Sequence, residues 1–259
     1  MANTVFENKI IEAKAKDLLT TAVNTRNLMT VDNSLSAAPG TTKTVNTYTY
    51  TGTAEEVAVG KGNTNRGSIS YTPNDYVVKT VQQTFDYFDE DYMKDPTIVD
   101  NMLKGATQVM ANKMTADFLA EMAKATLEQK FTTAYGYEPI VDAISQLNVE
   151  DESGIYNLIP NTWKAALRKD ADYKSARMGE VIYNGQVGTV CGIPVIASKA
   201  ATEAYAATKE AVTLFMKKEV EVEQHRDIEL RKNTVVLRTY YVCALTDATK
   251  VCKIYKGTA

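Results

Sequence analysis

DPTIVDNMLKGATQVMANKMTADFLAEMAKATLEQK, residues 95–130, is the one segment of this chain long enough to act as a strut, and the fold turns on its reading. Asp95 suits an N-cap, and Pro96 suits the first helical position, where a missing N–H costs nothing. Apolar side chains recur at Val99, Leu103, Ala106, Met110, Met114, Phe118 and Met122. That spacing of threes and fours lines one face of an α-helix. At 1.5 Å rise per residue, a helix over Asp95–Lys130 runs on the order of 50 Å, more than the width of a small domain. A strict heptad continued past Met110 puts Lys113 and then Asp117 on the seam. The stripe therefore drifts as it does in a straight helix laid on a sheet, not in a coiled coil.

Outward from this spine toward the N-terminus, the pattern changes to period two. Lys43, Val45, Thr47, Tyr48, Thr49 and Tyr50 read as one strand rich in β-branched and aromatic residues, and Tyr76–Phe85 reads as its return. Between them lies the glycine- and asparagine-rich tip Gly60–Gly67. The prediction is a long two-stranded β-arm over residues 40–88 with almost no core of its own, and such ribbons are marginal in water. Residues 1–39 begin as a weakly amphipathic helix over Thr4–Leu19 and then turn to Thr, Asn, Ser and Ala before Pro39-Gly40. With so little apolar surface this leader must lie against the body or a neighbour.

Toward the C-terminus a mixed α and β region follows. It comprises a short helix at Pro139–Leu147, a buried strand at Ile155–Ile159, a helix opened by Pro160, two short strands around a glycine-punctuated turn in Glu180–Ser198, and an alanine-rich helix at Thr202–Thr208. Pro194 belongs where a strand forgoes one ladder bond, at an edge or a bulge. Trp163, the lone tryptophan, reads as core packing. The last part is strand-rich: Ala211–Met216, Glu219–Glu223, Ile228–Arg231, Thr234–Leu245 and Val251–Tyr255. The first three alternate apolar with polar residues, so one face packs. This is the sheet on which the spine is expected to lie.

A chain of 259 residues, 44% hydrophobic and 24% charged, can bury a substantial core in one large or two modest domains. A formal net charge of −3 argues against a protein whose main task is gripping nucleic acid through a basic face. No apolar run reaches the length needed to cross a bilayer, and Met1-Ala-Asn-Thr opens no signal sequence. Cys191, Cys243 and Cys252 lie in apolar, strand-like contexts without CxxC spacing and read as buried thiols.

Readings as an enzyme fail on spacing. Gly185, Gly188 and Gly192 follow a strand but lack the GxGxxG pattern, and Ile193-Pro-Val stands where a phosphate-binding helix would begin. His225–Asn233 resembles a kinase catalytic loop, but its asparagine falls one residue late, and neither a glycine-rich phosphate loop nor an Asp-Phe-Gly triplet accompanies it. His225 is the only histidine, so no His-based zinc cluster exists, and no Gly-x-Ser-x-Gly elbow offers it a serine. It reads as a surface residue at a strand turn. The acidic runs Phe85–Met93 and Glu150-Asp-Glu read as solvated turns, because EF-hand spacing is absent. No catalytic residue, metal or cofactor is expected.

The order of parts is the strongest signal: N-terminal arm, β-arm, spine, a mixed region containing Gly185–Ser198, then returning strands. Over essentially the whole chain this order resembles the major capsid proteins of tailed bacteriophages, the Hong Kong 97-like fold. Gly185–Ser198 is similar to a stretch of their axial domain, and Phe85–Met93 is similar to their lead into the spine. The resemblance implies an α+β fold: an N-terminal arm (1–39), an extended β-arm (40–88), a peripheral domain carrying the spine (89–136 and 217–243), and an axial domain (137–216 and 244–259). It also implies a structural subunit forming pentamers and hexamers of an icosahedral head shell around double-stranded DNA, with the β-arm lying over a neighbour. In some relatives a lysine of this loop forms an isopeptide bond. Here Lys61, Asn63, Asn65 and Arg66 are candidate inter-subunit contacts, with no crosslink partner assigned to Lys61.

The implied partners are further copies of the chain, a portal, decoration proteins and packaged DNA held non-specifically. Met1 stands almost at the arm, so a scaffolding protein is expected to be separate. The implied location is the virion, after assembly in the bacterial host cytoplasm, without a membrane. Near-neutral charge suits a shell that lines DNA without holding it too tightly to release. Two competing readings are an encapsulin-like compartment around a cargo enzyme and, from another class, a small-molecule enzyme with an accessory β-arm.

Overall fold

The computed structural model describes residues 11–15, 18, 24–36, 40–132, 134–170 and 188–257. In chain order its elements are β1 (Thr30–Asp32), β2 (Thr42–Thr51), β3 (Ser68–Val77), β4 (Lys79–Phe88), α1 (Asp89–Lys94), α2 (Ile98–Met122), β5 (Leu127–Phe131), α3 (Tyr137–Leu147), β6 (Ile155–Pro160), α4 (Lys164–Lys169), β7 (Thr189–Val190), β8 (Ile193–Ser198), β9 (Ala204–Thr208), β10 (Val212–Asp227), β11 (Lys232–Leu245) and β12 (Val251–Lys256).

The spine is α2, and its inner face is the expected stripe, with Leu103, Ala106, Met110, Met114, Phe118 and Met122 all buried. It is shorter than the sequence suggests, at 25 residues or about 37 Å. The Asp95 carboxylate accepts from the Thr97 N–H at 2.9 Å and its hydroxyl at 2.6 Å, one turn ahead of the helix, whose N-cap is Thr97. At the other end, residues 127–131 form β5, paired in parallel with β12. Leu127 and Phe131 fit either period, and the ladder with β12 overrides the helix propensity of the Glu, Gln and Lys between them.

Two sheets flank this helix. One has the order β1-β10-β11-β4 and the other β5-β12-β9-β6-β8-β7. Between them lies the larger core, in which the α2 stripe meets Leu214, Leu237 and Tyr241 of the first sheet and Tyr156, Leu158 and Tyr205 of the second. A second core fills the far side of the six-stranded sheet, where Ile140, Ala143 and Ile144 of α3 pack on Ile159, Ala206 and Ile254. Strand alternation sorts β6 cleanly: Tyr156 and Leu158 belong to the larger core, while Ile155 and Ile159 belong to the second.

Several expectations are corrected at element level. Thr202–Thr208 is not a helix, since Ala204–Thr208 is strand β9, between β12 and β6. Its fully buried Ala204, Ala206 and Ala207 suit the narrow gap between layers, and pairing on both edges outweighs alanine's helix preference. Pro160 closes β6 instead of opening a helix, at the last rung, where a missing N–H is tolerated. The two runs expected over Ala211–Met216 and Glu219–Glu223 are one strand, Val212–Asp227, with register shifts between Met216 and Glu221, and Ile228–Arg231 is the turn between β10 and β11, not a strand. Pro194 precedes the point where β8 begins to pair with β6 at Val195. Trp163 packs edge-on against Phe131, with centroids 5.2 Å apart. Cys243 and Cys252 are buried, but Cys191 is exposed in the β7–β8 turn, where it and Gly192 both have positive φ.

Most of the predicted N-terminal helix, and Glu180–Val187 with Gly185, lie outside the described residues. The described part of the leader lies on the body, with β1 parallel to β10 and Ala15, Leu28 and Met29 in the main core.

Candidate inter-subunit surface

The β-arm is a real two-stranded ribbon, but its return strand is not Tyr76–Phe85. Strand β2 pairs with β3 from Thr42↔Val77 out to Thr51↔Ser68, while Lys79–Phe88 is β4, paired with β11. Both runs have period two, so alternation does not mark the break at Val78. Pro73 within β3 reads as a strand breaker, yet it is tolerated because each strand of an isolated ribbon has a free edge.

The arm is anchored only at its base. Val45, Tyr76 and Val78 pack against Leu35, Phe215, Val242 and Ala244 on the face of the four-stranded sheet opposite α2. That explains why Val212–Met216 is buried on both faces. The Lys43 ammonium stands 4.8 Å above the Phe215 ring, and Lys217 donates to the Gly40 carbonyl at the hinge.

Beyond the base the arm carries much of its apolar surface exposed. Tyr50, Ile69 and Tyr71 are exposed, and in the tip Val57 is 42% and Val59 106% exposed. Yet the tip is organised. Glu55 accepts from the Thr64 N–H at 3.0 Å, the Thr64 hydroxyl and the Asn65 N–H, and these bonds hold its carboxyl below the ordinary value. Of the four contact residues singled out in the sequence, Asn63 and Asn65 serve this local structure: Asn63 Oδ1 accepts from the Asn65 N–H at 2.8 Å, and Asn65 Nδ2 donates to the Thr53 carbonyl at 3.0 Å. Lys61 and Arg66 point outward on the same tip, with no ion pair among the described residues.

A second exposed apolar group lies at the far end of the four-stranded sheet. Ile228 and Leu230 of the β10–β11 turn are 82% and 61% exposed, and Phe88 at the end of β4 and Tyr92 and Met93 of α1 are exposed as well. Asp227 shapes the turn by accepting from the Glu229 and Leu230 N–H groups. The acidic run over the end of β4 and α1 is tied to this end of the sheet by Arg226–Asp89 at 2.8 Å, Arg231–Glu90 at 2.8 Å and Lys232–Asp86 at 2.7 Å. Sequence reading missed this surface because Ile228-Glu-Leu-Arg alternates like a strand. The available signal was Asp227, a residue that favours an Asx turn. His225 is exposed on β10 near this end.

No protein-family model matches the chain. By sequence it is similar to the "Major capsid protein" of Staphylococcus phage phiMR11, 27% identical over 239 residues, which is 88% of this chain and 85% of the relative. By structure it is similar to the capsid of the cyanophage P-SCSP1u, with a TM-score of 0.72 at 13% identity, covering 90% of this chain and 87% of the other. It is also similar to Gordonia phage Cozz, with a TM-score of 0.70 at 10% identity, covering 90% and 86%. The fold is the Hong Kong 97-like capsid fold, as the order of parts in the sequence implied.

Proposed function

We propose that this chain is the major capsid protein of a tailed bacteriophage, a structural subunit that assembles with itself into the icosahedral head shell around double-stranded DNA. A capsid fold and a phage major capsid protein as sequence relative, each spanning most of the chain, carry the reading. The arm adds a physical reason. Its exposed apolar residues lack a core, and burying them on other copies stabilises the assembly by roughly 25 cal/mol per Å² of apolar area. Repeated around a symmetric ring, such contacts favour closed particles. The role is structural rather than catalytic, and its place is the virion. An encapsulin-like compartment is not favoured, because the sequence relative is a phage major capsid protein.

The finer reading extends this proposal. Pentamers and hexamers are the building units. The helix α2 with the four-stranded sheet is the peripheral domain, and the six-stranded sheet with α3 and α4 is most of the axial domain. Lys61, Asn63, Asn65 and Arg66 face a neighbouring subunit, with Asn63 and Asn65 shaping the tip that presents the two cations. A scaffolding protein, a portal and decoration proteins act with the shell, assembly takes place in the bacterial cytoplasm, and DNA contacts are non-specific. Negative-stain electron microscopy of the purified chain tests the proposal: closed particles or ring-shaped capsomers are expected, and a monomer at all concentrations contradicts it.

A further inference from the structure

We infer that Asp117 and Glu121 of α2 are positioning residues for the β-arm: they hold its root from the spine side and so set the direction in which the ribbon leaves the body.

The chain passes from ribbon to body at Val77-Val78, and the residues on either side of that step both reach the spine. Lys79, the first residue of β4, donates to Asp117 Oδ1 at 3.3 Å. Tyr76, near the end of β3, lies under the Lys124 ammonium, which stands 5.7 Å from the ring centroid and pairs with Glu121 Oε1 at 2.7 Å. Asp117 and Glu121 are both buried and lie one helical turn apart on α2. Burial first, then the Glu121 charge, push the Tyr76 hydroxyl up, so it stays a neutral donor 3.4 Å from the Leu245 carbonyl at the end of β11. The other strand of the ribbon is held from β10, through Lys217 to the Gly40 carbonyl and Lys43 over Phe215.

These ties supply what the apolar anchor lacks. Val45, Tyr76 and Val78 keep the root on the sheet by apolar burial, which has no preferred direction. Hydrogen bonds between charged groups are strong and directional, and here they grip the root from α2 on one side and β10 on the other. The ribbon then acts as a lever. Its strands have ten residues each. They extend about 33 Å, so a turn of about 10° at the root moves the far end by about 6 Å. A fixed direction lowers the ordering cost of any contact the arm makes. The spine side is also the less complete grip. Glu121 Oε2 is buried with no hydrogen-bond partner among the described residues, and the Lys124 that holds the other oxygen is half-exposed. Asp117 keeps Lys113 and Tyr241 when Lys79 lets go. The root can therefore be freed without dismantling the core.

Electron spin resonance distances in unassembled subunits test this. In a Cys191→Ser background, where Cys243 and Cys252 are buried, Ile69→Cys and Val109→Cys put spin labels at exposed positions on the ribbon and on α2. The parent is expected to give one narrow distance distribution. Lys79→Met combined with Glu121→Leu removes both ties, and an apolar side chain in place of a half-satisfied buried carboxylate leaves the body folded. The distribution is expected to widen at least twofold, with the unfolding midpoint within a few degrees of the parent's. Lys79→Met alone, which leaves Asp117 two donors, is expected to widen it less and replaces the double variant if that one does not fold. Lys79→Arg, which still donates to Asp117, is expected to keep it narrow. A broad distribution in the parent, no widening in the variant that removes the ties, widening by Lys79→Arg equal to that by Lys79→Met, or widening only with a large fall in the midpoint overturns the assignment. The arm's use in assembly rests on the shell reading, whereas these distances belong to the single subunit, so either can fail without the other.

Discussion

Asp117 is the side chain on which the packing of three elements converges. It is buried on α2, where it accepts from Tyr241 Oη of β11 at 2.9 Å, from Lys113 at 3.1 Å and from Lys79 of β4 at 3.3 Å. Burial pushes its carboxyl up, but the bonds from Lys113 and Tyr241 and the Lys79 charge outweigh it, leaving a net value below the ordinary 3.8. A carboxyl lowered in this way adds stability that is fully present above the unfolded-state pKa and is lost as pH falls through the folded value. Asp117→Asn is therefore expected to cost about 2 kcal/mol at neutral pH and to flatten the loss of stability on the acid side of pH 4, as read by thermal unfolding of unassembled protein. A neighbour makes a second residue-scale prediction. Burial first, then the Asp117 and Glu121 charges, push the Cys243 thiol up to about 12, and burial pushes Cys252 up to about 11. Native unassembled protein should take up one maleimide, at Cys191, and denatured protein three. The sequence placed Asp117 on the seam, but it gave no sign that β4 and β11 would bring it a lysine and a tyrosine.

The β-arm separates what is legible in sequence from what is not. Alternation and the glycine-rich tip announce a ribbon, because those signals are local. The partner of each strand is a long-range fact, and Val78, the residue at which the chain leaves the ribbon for the body's sheet, is apolar like Val77 before it and carries no turn signal. The same logic explains β5 and β9, whose helical composition yields to ladders with β12 and β6. The candidate contact residues were legible as a tip. That Asn63 and Asn65 bond within the tip to shape it was not, since their partners depend on how the whole loop folds. Because Thr51 and Ser68 are register partners, residues 52–67 can be replaced by Asn-Gly, which closes a two-residue hairpin. This variant should keep the circular dichroism spectrum and unfolding midpoint of the parent's body within a few degrees, and it should form no closed particles in the electron microscope. Normal particles from the variant would remove the tip of the arm from assembly.

At the scale of the whole molecule, two cores on either side of a six-stranded sheet make a self-sufficient body, from which a ribbon projects without a core. The described leader residues fold onto that body, so the unmet apolar surface is concentrated in the arm and in the β10–β11 turn. The order of elements made this architecture readable from sequence. The exposed apolar group of the β10–β11 turn emerges only when distant segments meet. The central claim is that other copies of the chain complete the arm. Amide hydrogen exchange of residues 52–67, compared between dissociated subunits and assembled particles, tests it most directly. The account predicts rapid exchange in the subunit and strong protection in the particle. Equal exchange in both states would contradict it.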